Sequence, residues 1–156
     1  MAYWNWDPSY ELGINVIDNQ HKKLVQYINE LQAALTTKDR DKIASVLVGV
    51  TSYTLSHFAF EEQLMAEAGY AMAGPHKKVH ESFIATINRY KSSFDEGYNI
   101  TGQLMAELQI WLTHHIVHDD IDYKECVQKM LEKKDTHSIE MRAESKKKGW
   151  FQTLFG

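Results

Sequence analysis

Residues 57–80 read HFAFEEQLMAEAGYAMAGPHKKVH, and their spacing decides the fold. His57 and Glu61 are four apart, a Gly74-Pro75 break follows, and His76 and His80 are again four apart. Residues four apart share one face of an α-helix, so each pair aims two metal-capable groups the same way. Two such pairs on consecutive helices joined by a short turn can face each other across a bundle. That is the geometry of a metal site.

Working outward, the same spacing continues on both sides. Before the stretch, His21, Leu24, Ile28, Leu31 and Leu35 form one stripe of a first helix ending near Thr36, with Asp18 as its expected cap. Ile43, Leu47, Val50, Thr54, His57, Glu61 and Leu64 form the stripe of a second, expected to begin near Asp39 to Asp41. Pro75 then sits in the first turn of a third helix, where its missing N–H costs little. That helix presents His76, His80, Phe83, Ile87, Tyr90 and Phe94. A turn around Gly97 and Gly102 leads to a fourth, carrying Leu104, Leu108, Trp111 or Leu112, and His115. No strand-like alternation interrupts the pattern. The expected fold is all-α, an up-down-up-down four-helix bundle.

Around this core, residues 1–17 read as an ordered arm, whose aromatics Trp4, Trp6 and Tyr10 cover the end of the bundle. After Asp120 a shorter helix is expected to about Lys134, and residues 132–148 turn polar. The expected division is a domain over 1–131 and a polar, basic extension over 132–156. In that extension Trp150, Phe151, Leu154 and Phe155 would share a helical face beside Lys146, Lys147 and Lys148. Such a segment, 146–156, can lie on an anionic membrane surface or dock into a partner's groove.

Composition narrows the class. A chain of 156 residues, 44% hydrophobic and 24% charged, suits one globular domain. A net charge of −4 argues against nucleic-acid binding, which needs a basic excess. The single cysteine, Cys126, excludes an internal disulfide and any Cys-rich metal motif. No basic, apolar leader opens the chain and no membrane-spanning run is expected, so the expected location is cytoplasmic.

A lone histidine on an apolar stripe is usually a hydrogen-bonded core residue. Here His21, His57, Glu61, His76, His80 and His115 all fall on inward stripes, and burying them without a cation would cost several kcal/mol. Imidazoles and carboxylates without thiolates suit iron, manganese or zinc, and so many ligands exceed what one ion needs. A seventh candidate is Asp119 or Asp120. Asp120 is five on from His115, about 140° around an ideal helix, so it needs a helix end or a distortion there. Spacing leaves the two aspartates open.

The runs IDNQH (17–21), HFAFEEQLM (57–65), HKKVH (76–80) and WLTHHIVHDDIDY (111–123) resemble the hemerythrin family, close to its stand-alone bacterial members, over about Trp6 to Leu131. One departure is Ala71, where many members have a proline after the Gly-Tyr pair. The resemblance implies a non-haem di-iron centre with an oxo or hydroxo bridge. His76, His80 and His115 would hold one iron and His21 and His57 the other. Glu61 and Asp120 would bridge them, and Tyr123 matches the family tyrosine. It leaves His114, His118 and His137 as bystanders. It also implies reversible O2 binding at one open position, walled by Leu112, with Phe58, Trp111 and Ile116 as companions. An oxygen carrier rather than an enzyme is expected, since no histidine has a glutamate three residues before it, as ferritin-like oxygen-activating sites do. Delivery to an O2-consuming enzyme, storage, scavenging, and a sensing or interaction role remain open at this point, with a peroxidase-like or ferroxidase-like di-iron enzyme as a further alternative.

Overall fold

The computed structural model describes residues 2–155, with side chains described for 2–100 and 102–150. Helices α1 (Asn15–Thr37), α2 (Arg40–Ala68), α3 (Ala73–Asp95) and α4 (Thr101–His114) alternate in direction, and no strand occurs among the described residues. A π-helical turn, His115–Asp120, joins α4 to α5 (Ile121–Phe155).

Local chemistry sets the reversals. Lys38 closes α1 in the left-handed region, φ 55°, and Asp39 caps α2 by accepting from the N–H groups of Asp41 and Lys42 at 3.0 and 3.2 Å. A link this short forces α1 and α2 antiparallel. Gly69, at φ 68°, ends α2 with its N–H on Ala66 and that of Tyr70 on Met65, a Schellman-type stop that glycine enters without a Cβ clash.

The aromatic arm is ordered as expected. Trp4 is buried, and the side chain of Asn29 holds its backbone from both sides, accepting from its N–H and donating to its carbonyl at 2.8 Å each. The arm adds a short 3-10 turn, Pro8–Tyr10, and Tyr10 packs edge-on against both Trp4 and Trp6.

Three expectations need correction. Asp18 does not cap α1, which starts three residues earlier. Its buried carboxylate instead accepts from the N–H groups of Leu12 and Gly13 at 2.8 and 3.0 Å, satisfying the turn that feeds the helix. The last helix does not stop near Lys134 but runs on to Phe155, with every residue from 132 to 150 exposed. The side chains of Phe151, Leu154 and Phe155 lie outside the described ones. Finally, α2 contains an 18-residue window of mean hydropathy 1.4, so one helix among the described residues is long and apolar enough to cross a membrane by composition alone. It is the bundle helix that carries His57, Phe58 and Glu61 into the core.

The core comes in two apolar clusters. One gathers Trp4, Leu24, Ile28, Leu31, Leu47, Phe58, Phe83, Leu108 and Leu112. The other gathers Leu12, Ile14, Ile17, Leu64, Met65, Tyr123 and Val127. On α1, His21 falls between the clusters in chain order, as do Glu61 on α2 and Asp120 on the last segment, while His57 and His115 sit at the edge of the first cluster beside Phe58 and Ile116. The fold sandwiches a polar layer between two apolar ones.

Candidate metal centre

Every side chain of that layer is buried: His21, Glu61, His80, His115 and Asp120 have no exposure, and His57 and His76 very little. The Nε2 atoms of all five imidazoles point at two carboxylates. Asp120 takes His76 at 3.2 Å and His115 at 3.0 Å on Oδ1, and His21 at 3.2 Å on Oδ2. Glu61 takes His57 at 3.5 Å and His80 at 3.3 Å on Oε2, and His21 at 3.6 Å on Oε1. Two ligand groups result: Glu61 with His76, His80, His115 and Asp120, and Glu61 with His21 and His57. Glu61 is common to both groups, and Asp120 reaches His21 with its second oxygen. Both carboxylates are placed to bridge.

Asp120 arrives there because of the π turn. Five residues separate it from His115, and an i to i+5 turn returns the chain to the same face where an α-helix would overshoot. Asp119 points elsewhere, its carboxylate 2.8 Å from His115 Nδ1. The distortion that the spacing requires is present, and it separates the two aspartates by role.

The inward atoms lack partners. Both nitrogens of His21, the Nε2 of His57 and His76, Glu61 Oε2 and both oxygens of Asp120 are buried without a hydrogen bond. His80 and His115 face each other Nε2 to Nε2 at 3.0 Å, where at most one proton can lie between them. Each orphaned buried group costs about 1–3 kcal/mol, and native interiors keep such groups few. Clustered carboxylate oxygens and imidazole Nε2 atoms, each able to offer a lone pair once any proton is displaced, fit a cation. The donor set, imidazole and carboxylate with no thiolate, suits iron, manganese or zinc.

Outside the cluster, three side chains orient the rings. Gln20 Oε1 lies 2.7 Å from His57 Nδ1, Glu62 Oε1 lies 3.0 Å from His80 Nδ1, and Asp119 supports His115. An acceptor on Nδ1 places the proton there and frees the Nε2 lone pair to face inward. Sequence reasoning missed these supports. A signal was available: the doublets Glu61-Glu62 and Asp119-Asp120 each turn one acid into the site and the other onto a ring. The Tyr123 hydroxyl donates to Glu61 Oε1 at 2.6 Å.

Charge is balanced unevenly. Burial depresses His21, but the facing carboxylates of Asp120 and Glu61 win and push it up to about 9. For His57 burial dominates the attraction of Glu61 and pulls it down to about 4. Burial opposes ionisation of Asp120, yet His115, His21 and His76 hold it well below the usual carboxylate range. Burial, then the charges of Glu61 and Asp120, push the Tyr123 phenol well above its ordinary value.

On one side the layer meets aromatic rings. Phe58 stacks on His80 at 3.8 Å, and Trp111 stacks on His115 at 4.3 Å and on Phe83 at 3.7 Å. A cavity of about 10 Å³ opens there, lined by Leu24, Ile28, Val50, Thr54, Phe58, Phe83, Leu108, Trp111 and Leu112. Of the four expected wall residues, Leu112, Phe58 and Trp111 line it, whereas Ile116 is buried in the neighbouring core. The space is roughly that of one diatomic or water-sized molecule, and its apolar lining keeps it dry. His114, His118 and His137 are exposed and stay outside the cluster.

Residues 12–127 match the family described as Hemerythrin HHE cation binding domain. The chain is similar to the bacteriohemerythrin of Pseudomonas aeruginosa, 44% identical over 128 residues, covering 82% of this chain and 84% of the relative. Similarity to the bacteriohemerythrin of Stenotrophomonas maltophilia is 41% over 131 residues, covering 84% and 86%. Among solved structures, wild-type hemerythrin aligns with a TM-score of 0.77 at 26% identity, covering 81% of this chain and 98% of that one.

Proposed function

We propose, from the premise that this chain belongs to the hemerythrin family, that its buried polar layer holds two iron ions and binds O2 reversibly. One observation carries the reading: seven converging side chains, five of them with orphaned inward atoms, lie beside a dry apolar space of about 10 Å³. His76, His80 and His115 would hold one iron, His21 and His57 the other, with Glu61 and Asp120 between them. When bound, the iron pair supplies two reducing electrons and one open position for O2.

The protein's own contribution is positioning and exclusion. Gln20, Glu62 and Asp119 fix three rings so that their lone pairs need no reorganisation. Tyr123 holds Glu61, and its raised pKa keeps it a hydrogen-bond donor at any physiological pH. Leu112, Phe58 and Trp111 keep water from the open side, which protects reduced iron from irreversible oxidation. Five neutral imidazoles with only two carboxylates bring little negative charge, and no glutamate precedes a histidine by three. That donor set favours a carrier over an oxygen-activating enzyme. Transport, storage and delivery to an O2-consuming enzyme in the cytoplasm are the uses we assign to it.

The test is an absorption spectrum with iron quantified, taken anaerobically, after O2 is admitted and after its removal. Two irons per chain and a band that comes and goes with O2 are expected. A band that decays to a permanently oxidised form would replace the carrier with a sensor or a catalyst. A folded chain that takes up no iron would end the oxygen reading.

A second surface belongs to this proposal. Residues 132–150 of α5 are exposed, and Lys146, Lys147 and Lys148 precede the apolar end of the chain. We assign residues 1–131 the oxygen chemistry and residues 146–156 a contact with an anionic membrane surface. Unchanged co-sedimentation with anionic liposomes after deletion of 146–156 would refute that contact.

A further inference from the structure

The outer face of the segment that carries His115 and Asp120 bears a second histidine pair that the oxygen site does not use. His114 and His118 are four apart and both exposed, with ring centroids 4.4 Å apart and planes 38° apart. Among the described residues neither ring has a hydrogen bond or an ion pair. We infer that His114 and His118 form an exposed chelating site for a borderline divalent cation, of the zinc, nickel or copper class, clipped across the start of the π turn.

Geometry supports the chelate. Two imidazoles side by side on one ion, each nitrogen ~2.1 Å from it, have ring centroids roughly 4–5 Å apart. The buried rings provide an internal comparison: His76 and His80, also four apart, are spaced 4.7 Å, His76 and His115 4.8 Å, and His80 and His115 4.9 Å. The exposed pair has nearly the spacing of rings that already converge on a common point. Exposure lets water complete the coordination shell. Neutral nitrogen donors without carboxylates exclude calcium and magnesium and rank copper above nickel and zinc.

Place gives the site a consequence. Residues 115–117 lie between the two histidines and form the first part of the π turn whose inner face presents His115 and Asp120. An ion held by His114 and His118 ties α4 to that turn from outside. It therefore restrains the one backbone distortion on which the buried layer depends. Metal outside and metal inside are coupled through a shared turn, and the coupling is reciprocal. The coupling rests on the iron reading above; the outer binding does not.

The experiment titrates tag-free, iron-loaded protein with Zn(II) by calorimetry while iron is quantified. One zinc per chain with iron retained is expected. His114→Gln and His118→Gln should each weaken it by about 10²-fold, the loss of one arm of a two-armed grip. His137→Gln, which removes an isolated exposed histidine, should change nothing. Amide exchange at 115–120 should slow with zinc in the unaltered chain and not in the double variant. Zinc binding that survives in the double variant, or zinc uptake matched by iron loss, would overturn the site. Bound zinc that leaves exchange at 115–120 unchanged would overturn the coupling. A chain that takes up no iron, yet loses a zinc equivalent on His114→Gln, would end the oxygen reading and leave this one standing.

Discussion

The Tyr123 hydroxyl and Glu61 Oε1 meet at 2.6 Å across the boundary between the polar layer and the second apolar cluster. Tyr123 is fully buried, so this hydrogen bond has no water to replace it. It fixes one oxygen of the carboxylate that both ligand groups share. Tyr123→Phe is expected to fold, to lose about 1–3 kcal/mol of stability and to retain iron less well. Thermal melts and iron per chain check both effects.

The two neighbouring aspartates should separate cleanly. Asp120→Asn removes a charge that three imidazoles address and is expected to abolish stable binding of the second metal ion. Asp119→Asn leaves the inner donors intact but loosens the His115 ring, and should weaken metal retention by about 10–100-fold. Equal effects in a chelator-competition assay would show that the assignment by the π turn is wrong.

Leu112 lines the dry cavity and is buried. Leu112→Ala should cost about 2–5 kcal/mol and enlarge the cavity enough to admit water. The O2-dependent absorption band should then decay faster after oxygenation. A band as durable as that of the unaltered chain would mean that Leu112 packs the core without guarding the site.

For metal-free protein the two shifted histidines predict opposite limbs of a pH–stability curve. His21 is raised to about 9, so its contribution is complete below its unfolded value of 6.5 and is lost as pH rises toward 9. His57 is depressed to about 4, so its contribution is complete above 6.5 and is lost as pH falls toward 4. The melting temperature of the metal-free protein should peak near pH 6.5 and fall on both sides. Metal replaces the His21 proton, so loading should flatten the alkaline limb between 6.5 and 9. An alkaline limb equally steep in both forms would place His21 outside the metal site.

Truncation after Leu131 tests the two-part division. Because residues 132–150 are exposed along their length, their removal should leave iron content unchanged and the melting temperature nearly so. The Lys134 contact with Glu67 is an exposed ion pair, worth at most about 1 kcal/mol. A large drop in either quantity would place the extension inside the oxygen-binding unit.

How much of this was legible beforehand follows from period. Residues three and four apart share a helix face whatever surrounds them, so the stripes through His21, His57, Glu61, His76, His80 and His115 disclosed the bundle and six inward donors. The start of α2 near Asp39 was readable for the same reason, since a helix start depends on its own backbone. Asp18 was misread because its partners, Leu12 and Gly13, precede the helix and depend on how the arm folds back. The length of α5 was misread because exposed polar residues carry no apolar stripe to extend.

Local sequence thus determined which residues face inward, because helical geometry is set within a turn or two. Only the tertiary structure decided which inward groups meet and which are supported. A π turn is a small backbone distortion without a periodic signature, yet it turns Asp120 into the layer and leaves Asp119 to the ring of His115. The supports from Gln20 to His57 and from Glu62 to His80, and the bond from Tyr123 to Glu61, join different helices. Such contacts depend on how the helices are rotated and shifted against one another, which packing of the whole core fixes and no single stretch encodes.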